Sequence, residues 1–177
     1  MKVGAYQFAV TNDISHNLEI IKKAITQASH EDVKLLIFPE CALTGYPPRD
    51  MESSSSVKFH ELTLAYEQLQ NLAIAYAMHV VVGTITKEDD KYYNSAIVFT
   101  PQREKLIYHK RALWGWDKDN FSIGNKSGVF EIGGLKVGIR ICFEVRFPEF
   151  FRELYRELDF GEQGRKQITD ELMKNQC

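Results

Sequence analysis

Short apolar segments with β-strand patterning recur along the chain, and two helical segments lie between the first three of them. The strand-like runs occupy residues 3–10, 33–39, 79–86, 92–100, 104–110, 128–132 and 135–143. Apolar residues at helical spacing predict one helix from Ser15, one over residues 57–78 and one from Pro148. This order predicts an α/β fold with helices layered on a sheet and hairpins in the middle of the chain.

Two connections have distinctive turn chemistry. The pair Gly133-Gly134 separates two strand-like runs and predicts a tight hairpin turn. The segment GYPPRDMESSSS, residues 45–56, is rich in proline and serine and predicts a loop, with its four serines as a flexible connector.

Composition narrows the range of functions. The 177 residues, 44% of them hydrophobic, suffice for one domain with a real core. A net charge of -2 gives no indication of a nucleic-acid or membrane-surface partner, and no apolar run approaches transmembrane length. The start of the chain reads as a strand rather than a signal peptide. Cys41, Cys142 and Cys177 lack metal-type spacing, so we expect free thiols and a cytoplasmic location.

Three strand-like runs end in chemically reactive side chains. Residues 35–39 lead into Glu40, residues 105–109 into Lys110, and residues 137–141 into Cys142. Because ligand sites in helix-covered sheets form beyond the carboxyl ends of strands, we expect these three groups to share one site. Alternation within the last run places Val137, Ile139 and Ile141 on the core face, and Cys142 on the other.

A carboxylate, an ammonium and a thiol together suit nucleophilic attack on an amide carbon. The Lys110 ammonium could lower the thiol pKa and, with the Phe143 N–H, stabilise the developing oxyanion, where one such donor is worth about 3 kcal/mol. Glu40 could move the proton. Each residue also has a structural alternative: Cys142 as a half-buried thiol, Glu40 as a solvated strand end, and Lys110 as part of a basic surface cluster with its neighbours.

Three motifs resemble the signature regions of the nitrilase, or carbon–nitrogen hydrolase, superfamily. They are LLIFPECALTGYPP, YHKRALWGWD and GIRICFEVRFPEFFRELY, in the family's order and approximate spacing, and the resemblance extends from residue 3 to about residue 158. It implies part of an αββα sandwich: the first half plus the nucleophile strand and helix. It also implies Glu40 as general base, Lys110 as oxyanion stabiliser and Cys142 as nucleophile, with no metal or cofactor.

The resemblance suggests finer assignments as well. It implies a small amide substrate, with the CFEVRFPE motif closer to omega-amidase-like enzymes than to true nitrilases, and a homo-oligomer. Family members often have a second glutamate after the lysine; here Asp119 is the nearest acidic candidate. Glu144 is expected to be structural, and Arg146 to form ion pairs or bind a substrate carboxylate. Pocket walls, with core packing as the alternative, are expected from Tyr46, Trp114 and Trp116.

The chain departs from the family pattern after residue 158. The family domain is considerably longer, whereas residues 159–177 read DFGEQGRKQITDELMKNQC and predict a divergent, polar helical tail. We therefore expect residues 1–158 to be the N-terminal portion of a truncated hydrolase domain. Two alternatives to an active amide hydrolase remain at this stage: a catalytically inactive remnant, or a module that a partner chain completes.

Overall fold

A five-stranded sheet forms the centre of the molecule. The computed structural model describes residues 1–158, so the predicted tail at 159–177 lies outside the described residues. The strands are β1 (Val3–Ala5), β2 (Leu35–Ile37), β3 (His79–Glu88), β4 (Lys91–Phe99) and β5 (Lys105–His109), in that spatial order. The first three are parallel, and β4 and β5 add antiparallel. Strand β5 therefore runs in the same direction as β2.

Helices cover one face of this sheet and a hairpin covers part of the other. Helices α1 (Ile14–His30) and α2 (Phe59–Ala75) pack on the first face. The hairpin of β6 (Val129–Ile132) and β7 (Leu135–Gly138) turns at Gly133-Gly134, where both φ angles are positive, as the tight-turn prediction requires. Short helical segments are the 3-10 turns Ser54–Ser56 and Cys142–Arg146 and helix α3 (Asp117–Asn120).

Helix α4 (Pro148–Glu157) supplies a further layer on the outer side of the hairpin. Its Leu154 packs so closely on Gly138 that a Cβ there would lie 2.7 Å from a Leu154 methyl carbon. Val137 and Ile139 point the other way and join a core with the sheet residues Val81 and Val98. The layers are thus helices, sheet, hairpin and helix, which confirms the predicted α/β class and partial αββα architecture.

The local details that differ from the sequence prediction include a helix cap, the role of the serines and the end of one strand. Helix α1 is capped by Asp13, whose carboxylate accepts the His16 N–H at 3.0 Å, rather than by Ser15. The serines are not a simple connector, because Ser54 is buried and hydrogen-bonds to Asn120 at 2.8 and 2.9 Å. Strand β7 ends at Gly138 instead of continuing to residue 143.

Among the described residues, no helix combines the length and apolar character needed to cross a membrane.

Gly83 allows the chain after β2 to cross over β3. A Cβ at this position would lie 2.6 Å from Cys41 N and 2.8 Å from Glu40 Cα, and it would also collide with the Pro39 carbonyl oxygen. The crossing segment is held by backbone hydrogen bonds from Phe38 N to the Val81 oxygen and from Leu43 N to the Gly83 oxygen, at 2.9 and 3.1 Å. A side chain at residue 83 would therefore displace the segment that carries Glu40.

We expect Gly83→Ala to lower the free energy of unfolding by about 3 kcal/mol, because an overpacked contact with backbone cannot be relieved by a rotamer change. Urea denaturation measures the effect. Gly134→Ala is the control: its Cβ would meet open space and only its positive φ opposes alanine, at about 1–2 kcal/mol. Equal losses in the two variants would contradict the tight crossing.

Candidate active site

Lys110 is buried between two carboxylates just beyond the end of β5. Its Nζ donates to Glu40 Oε1 at 2.7 Å and to Asp117 Oδ2 at 2.8 Å. Only 2% of the Lys110 and Asp117 side chains is exposed, against 22% for Glu40. A buried ammonium is tolerated only where it is paired, so the two carboxylates account for its position.

The topology explains how Glu40 and Lys110 meet. Their strands, β2 and β5, run in the same direction, so both residues leave the sheet at the same edge, but β3 and β4 lie between them. The crossing over Gly83 brings Glu40 across β3. Asn94 in β4 completes the path, because its Nδ2 donates to Glu40 Oε1 at 2.7 Å and its carbonyl accepts the Lys110 N–H at 2.8 Å.

Cys142 faces the same site because the backbone, still extended at Ile141 (φ -111°, ψ 116°), changes direction at Cys142. It opens the 3-10 turn Cys142–Arg146 with φ +45°, a left-handed value that is uncommon outside glycine and recurs at functional sites. Continued strand alternation would point it toward α4. Instead it borders, together with Glu40, a cavity of about 120 Å³ whose other walls include Phe38, Val81 and Ile139.

Electrostatics in the site favour a charged amine and a neutral thiol. Burial alone would lower the Lys110 pKa, but the charges and hydrogen bonds of Glu40 and Asp117 outweigh it and raise the pKa above its ordinary value. The Cys142 pKa is also raised, first by burial and then by the Glu40 charge and hydrogen bond, although Lys110 opposes this shift. Lys110 thus lowers the Cys142 pKa, as expected from the sequence, but burial and Glu40 together outweigh this effect.

The carboxylate next to Lys110 is Asp117 rather than Asp119. Asp117 also accepts the Tyr46 hydroxyl at 2.7 Å and the Trp114 N–H at 3.2 Å, whereas Asp119 lies two residues further on and is exposed. The Tyr46 pKa is raised by burial and by this bond to Asp117, so its hydroxyl stays protonated and donates. Tyr46 therefore positions an acidic group rather than forming only an apolar wall.

Three of the remaining predicted residues, Trp114, Phe143 and Arg146, contact one another. Trp114 contacts Phe143, with ring centroids 5.9 Å apart, and both Trp114 and Trp116 are exposed. The Arg146 guanidinium lies 5.8 Å from the centre of the Phe143 ring, at the surface. Because Phe143 directly follows Cys142, the pair of Trp114 and Phe143 rings lies next to the 3-10 turn.

Other cysteine and histidine side chains take structural positions. Cys41 is fully buried, and burial followed by the Glu40 charge raises its pKa well above the ordinary value. His109 points away from Lys110 and contacts Ser95 at 2.7 Å and Glu88 at 2.9 Å.

Sequence reasoning missed Asn94 and Asp117. Asn94 was visible as the only amide side chain in the strand segment NSAIVF, one strand before Lys110. Asp117 lies seven residues after Lys110 and had the same residue type as Asp119, so only its direction in the folded chain separates the two.

Comparison with known proteins assigns a family to this arrangement. The model of the carbon-nitrogen hydrolase family matches residues 2–157. An (R)-stereoselective amidase of a Pseudomonas species is 30% identical over 155 residues, covering 87% of this chain and 56% of that protein. An omega-amidase of Xenopus tropicalis is 28% identical over 159 residues, with 84% and 56% covered.

Solved structures agree with these relatives. The crystal structure of an amidase from Nesterenkonia sp. superposes with a TM-score of 0.76 at 26% identity, covering 86% of this chain and 59% of that one. A variant of that amidase carries acrylamide added to its active site cysteine, and another was solved with butyramide. The chain thus spans little more than half the length of these relatives. On its sequence and its fold alike, it belongs to the carbon–nitrogen hydrolase family.

Proposed function

We propose that the chain carries the reactive residues of a thiol-dependent amide hydrolase, with Cys142 as nucleophile, Glu40 as general base and Lys110 as oxyanion stabiliser. The observation that supports this most is the meeting of the three groups at one site: Lys110 Nζ lies 2.7 Å from Glu40 Oε1, and Glu40 and Cys142 line the same cavity. These groups come from three separate parts of the chain.

The geometry supports a stepwise reaction in which one proton is moved by Glu40. As Sγ of Cys142 attacks the amide carbon, Glu40 takes the thiol proton and the carbonyl oxygen becomes an oxyanion next to the Lys110 ammonium. The Phe143 N–H, in the first turn of the 3-10 helix, is the second donor. Collapse of this intermediate breaks the C–N bond, Glu40 returns the proton to nitrogen, and ammonia leaves a thioester.

Hydrolysis of the thioester uses the same groups. Glu40 removes a proton from water as the water oxygen attacks the thioester carbon, and Lys110 again faces the oxyanion. The C–S bond then breaks, Cys142 regains its proton from Glu40, and a carboxylic acid is released. The raised pKa of Cys142 fits this scheme, because a neutral thiol needs the adjacent base at the moment of attack.

The cavity beside Cys142 favours a small acyl group. Its volume is about 120 Å³ and most of its walls are apolar. A cavity of ~150 Å³ holds a benzene molecule, so a chain of a few carbons fits here. The butyramide complex of the Nesterenkonia amidase and the omega-amidase among the relatives suggest short aliphatic amides and omega-amides as substrates to test.

Incubation with butyramide or succinamate is expected to release ammonia, and Cys142→Ala is expected to abolish the release because no other group replaces the nucleophile. Ammonia is measured by a coupled assay, with Cys177→Ala as the control thiol variant that keeps wild-type rates. Equal ammonia release by wild type and Cys142→Ala would reject the proposed function.

Asp117→Asn is expected to lower kcat by about 100-fold, because loss of one carboxylate releases Lys110 from its position and misplacement by 1 Å costs that much. Asp119→Asn is the matched control in the same helix and should leave kcat unchanged. The reverse pattern would restore Asp119 as the family's second acidic residue.

Glu40→Gln is expected to shift the pH profile of Cys142 alkylation to lower pH. The Glu40 charge disfavours the thiolate and raises the thiol pKa, whereas Lys110 lowers it. Without the Glu40 charge, the Lys110 effect is no longer offset by Glu40, and the thiol pKa falls. Iodoacetamide labelling resolved by peptide mass spectrometry gives the midpoint. Glu131→Gln, an exposed site on β6, is the control. An unchanged midpoint in Glu40→Gln would contradict the contact between Glu40 and Cys142.

A further inference from the structure

Glu144 is a fully buried carboxylate in the turn that begins at the cysteine, and four hydrogen-bond donors surround it. Its Oε1 accepts the Tyr108 hydroxyl at 2.7 Å, the Arg111 N–H at 2.7 Å and the Ala112 N–H at 3.3 Å. Its Oε2 accepts the Ile141 N–H at 2.7 Å. The mechanism described above uses none of these contacts.

These donors belong to the two chain segments that carry the reactive groups. The N–H bound by Oε2 belongs to the residue immediately before Cys142. Two of the donors bound by Oε1 are the backbone amides of the first and second residues after Lys110. One carboxylate therefore joins the nucleophile turn directly to the lysine segment, although about 30 residues separate them in sequence.

The contact with Ile141 also helps to determine the cysteine conformation. A glutamate three residues after the helix cap that accepts the cap's own N–H forms half of a capping box and fixes where the helical turn starts. Cys142, with its left-handed φ of +45°, lies in the chain between Ile141 and Glu144, which this hydrogen bond joins. The bonds of Glu144 thus hold the backbone conformation that turns the thiol toward Glu40.

We propose that Glu144 is a positioning residue of this active site, which holds the Cys142 turn and the Lys110 segment in register through its two carboxylate oxygens. Its catalytic consequence rests on the proposed amide hydrolase function. The bridge itself is a statement about the fold and can be tested without a substrate.

The polarity of the contacts makes the proposal specific. All four partners donate, so each carboxylate oxygen must accept. A glutamine has almost the same shape, but it must turn its NH2 group toward either the Ile141 N–H or the Tyr108 and Arg111 donors, which places donor against donor. An aspartate keeps both acceptors on a side chain that is shorter by one methylene.

The first test compares Glu144→Gln and Glu144→Asp with wild type, and Glu131→Gln serves as the exposed control. We expect Glu144→Gln to lower kcat by about 100-fold, because the reacting groups lose their alignment. KM should change little, because the walls of the pocket stay in place. The pH midpoint of Cys142 alkylation should fall toward the ordinary thiol range as the thiol leaves Glu40. Glu144→Asp should restore part of both effects.

The second test reads the bridge directly by amide hydrogen exchange, which separates failure of this proposal from failure of the proposed function. In Glu144→Gln, we expect faster exchange at Ile141, Arg111 and Ala112, with protection in β3 and β4 unchanged. One outcome is that wild type releases no ammonia while this exchange and the alkylation midpoint change as expected in Glu144→Gln. That result would support the Glu144 bridge between the two segments and reject the hydrolase function. A lower melting temperature with an unchanged midpoint and unchanged exchange would overturn the proposal and leave Glu144 a purely stabilising residue.

Discussion

The arrangement of the site depends on the burial of one ammonium group. Lys110 has 2% of its side chain exposed, and two carboxylates lie within 2.8 Å of Nζ. Removal of an ammonium from water is costly unless opposite charges and hydrogen bonds replace its hydration. The position of Lys110 therefore determines where Glu40 and Asp117 must lie. The pKa of the nearby Cys142 thiol is raised, first by burial and then by the Glu40 charge, while Lys110 acts in the opposite direction.

Two departures from regular strand geometry bring the reactive groups to this ammonium. Strands β2 and β5 are three strand spacings apart, about 14 Å, which exceeds the reach of a glutamate and a lysine lying straight above their own strands. The crossing over Gly83 shortens this distance from the side of Glu40. The left-handed conformation at Cys142 turns the thiol from the α4 side of the hairpin layer to the sheet side.

Polar side chains with no predicted chemical role hold the crossing segment and the Cys142 turn in place. Asn94 binds Glu40 through its side chain and Lys110 through its backbone, Tyr46 binds Asp117, and Glu144 binds the turns on either side of the site. Each of these bonds joins polar groups within the protein, and buried polar groups that are bonded in this way stabilise a single arrangement. The reactive groups are thus held by buried networks rather than by surface loops.

Much of the fold was predictable because its signals are local. Alternation and helical spacing indicated the strands, the main helices and the Gly133-Gly134 hairpin, and the core face of Val137, Ile139 and Ile141 follows from a period of two. Which acidic residue reaches Lys110 was not predictable in this way. Asp117 and Asp119 differ only in the direction that a short helix gives them, and that direction is set by packing against Tyr46 and the Trp114 backbone.

The amino-acid sequence by itself determined the α/β class, the family and the placement of a carboxylate, an amine and a thiol just after strand-like runs, because periodicity and residue type are properties of neighbouring residues. Tertiary structure alone decided that Glu40 crosses β3 to reach Lys110 and that Asp117 is the second carboxylate beside it. It also decided that the backbone turns at Cys142, so that the thiol lies on the cavity that Glu40 borders. The physical reason is that charge pairing and backbone crossing depend on contacts between segments that are distant in the chain. Burial makes every unpaired charge in such a contact costly.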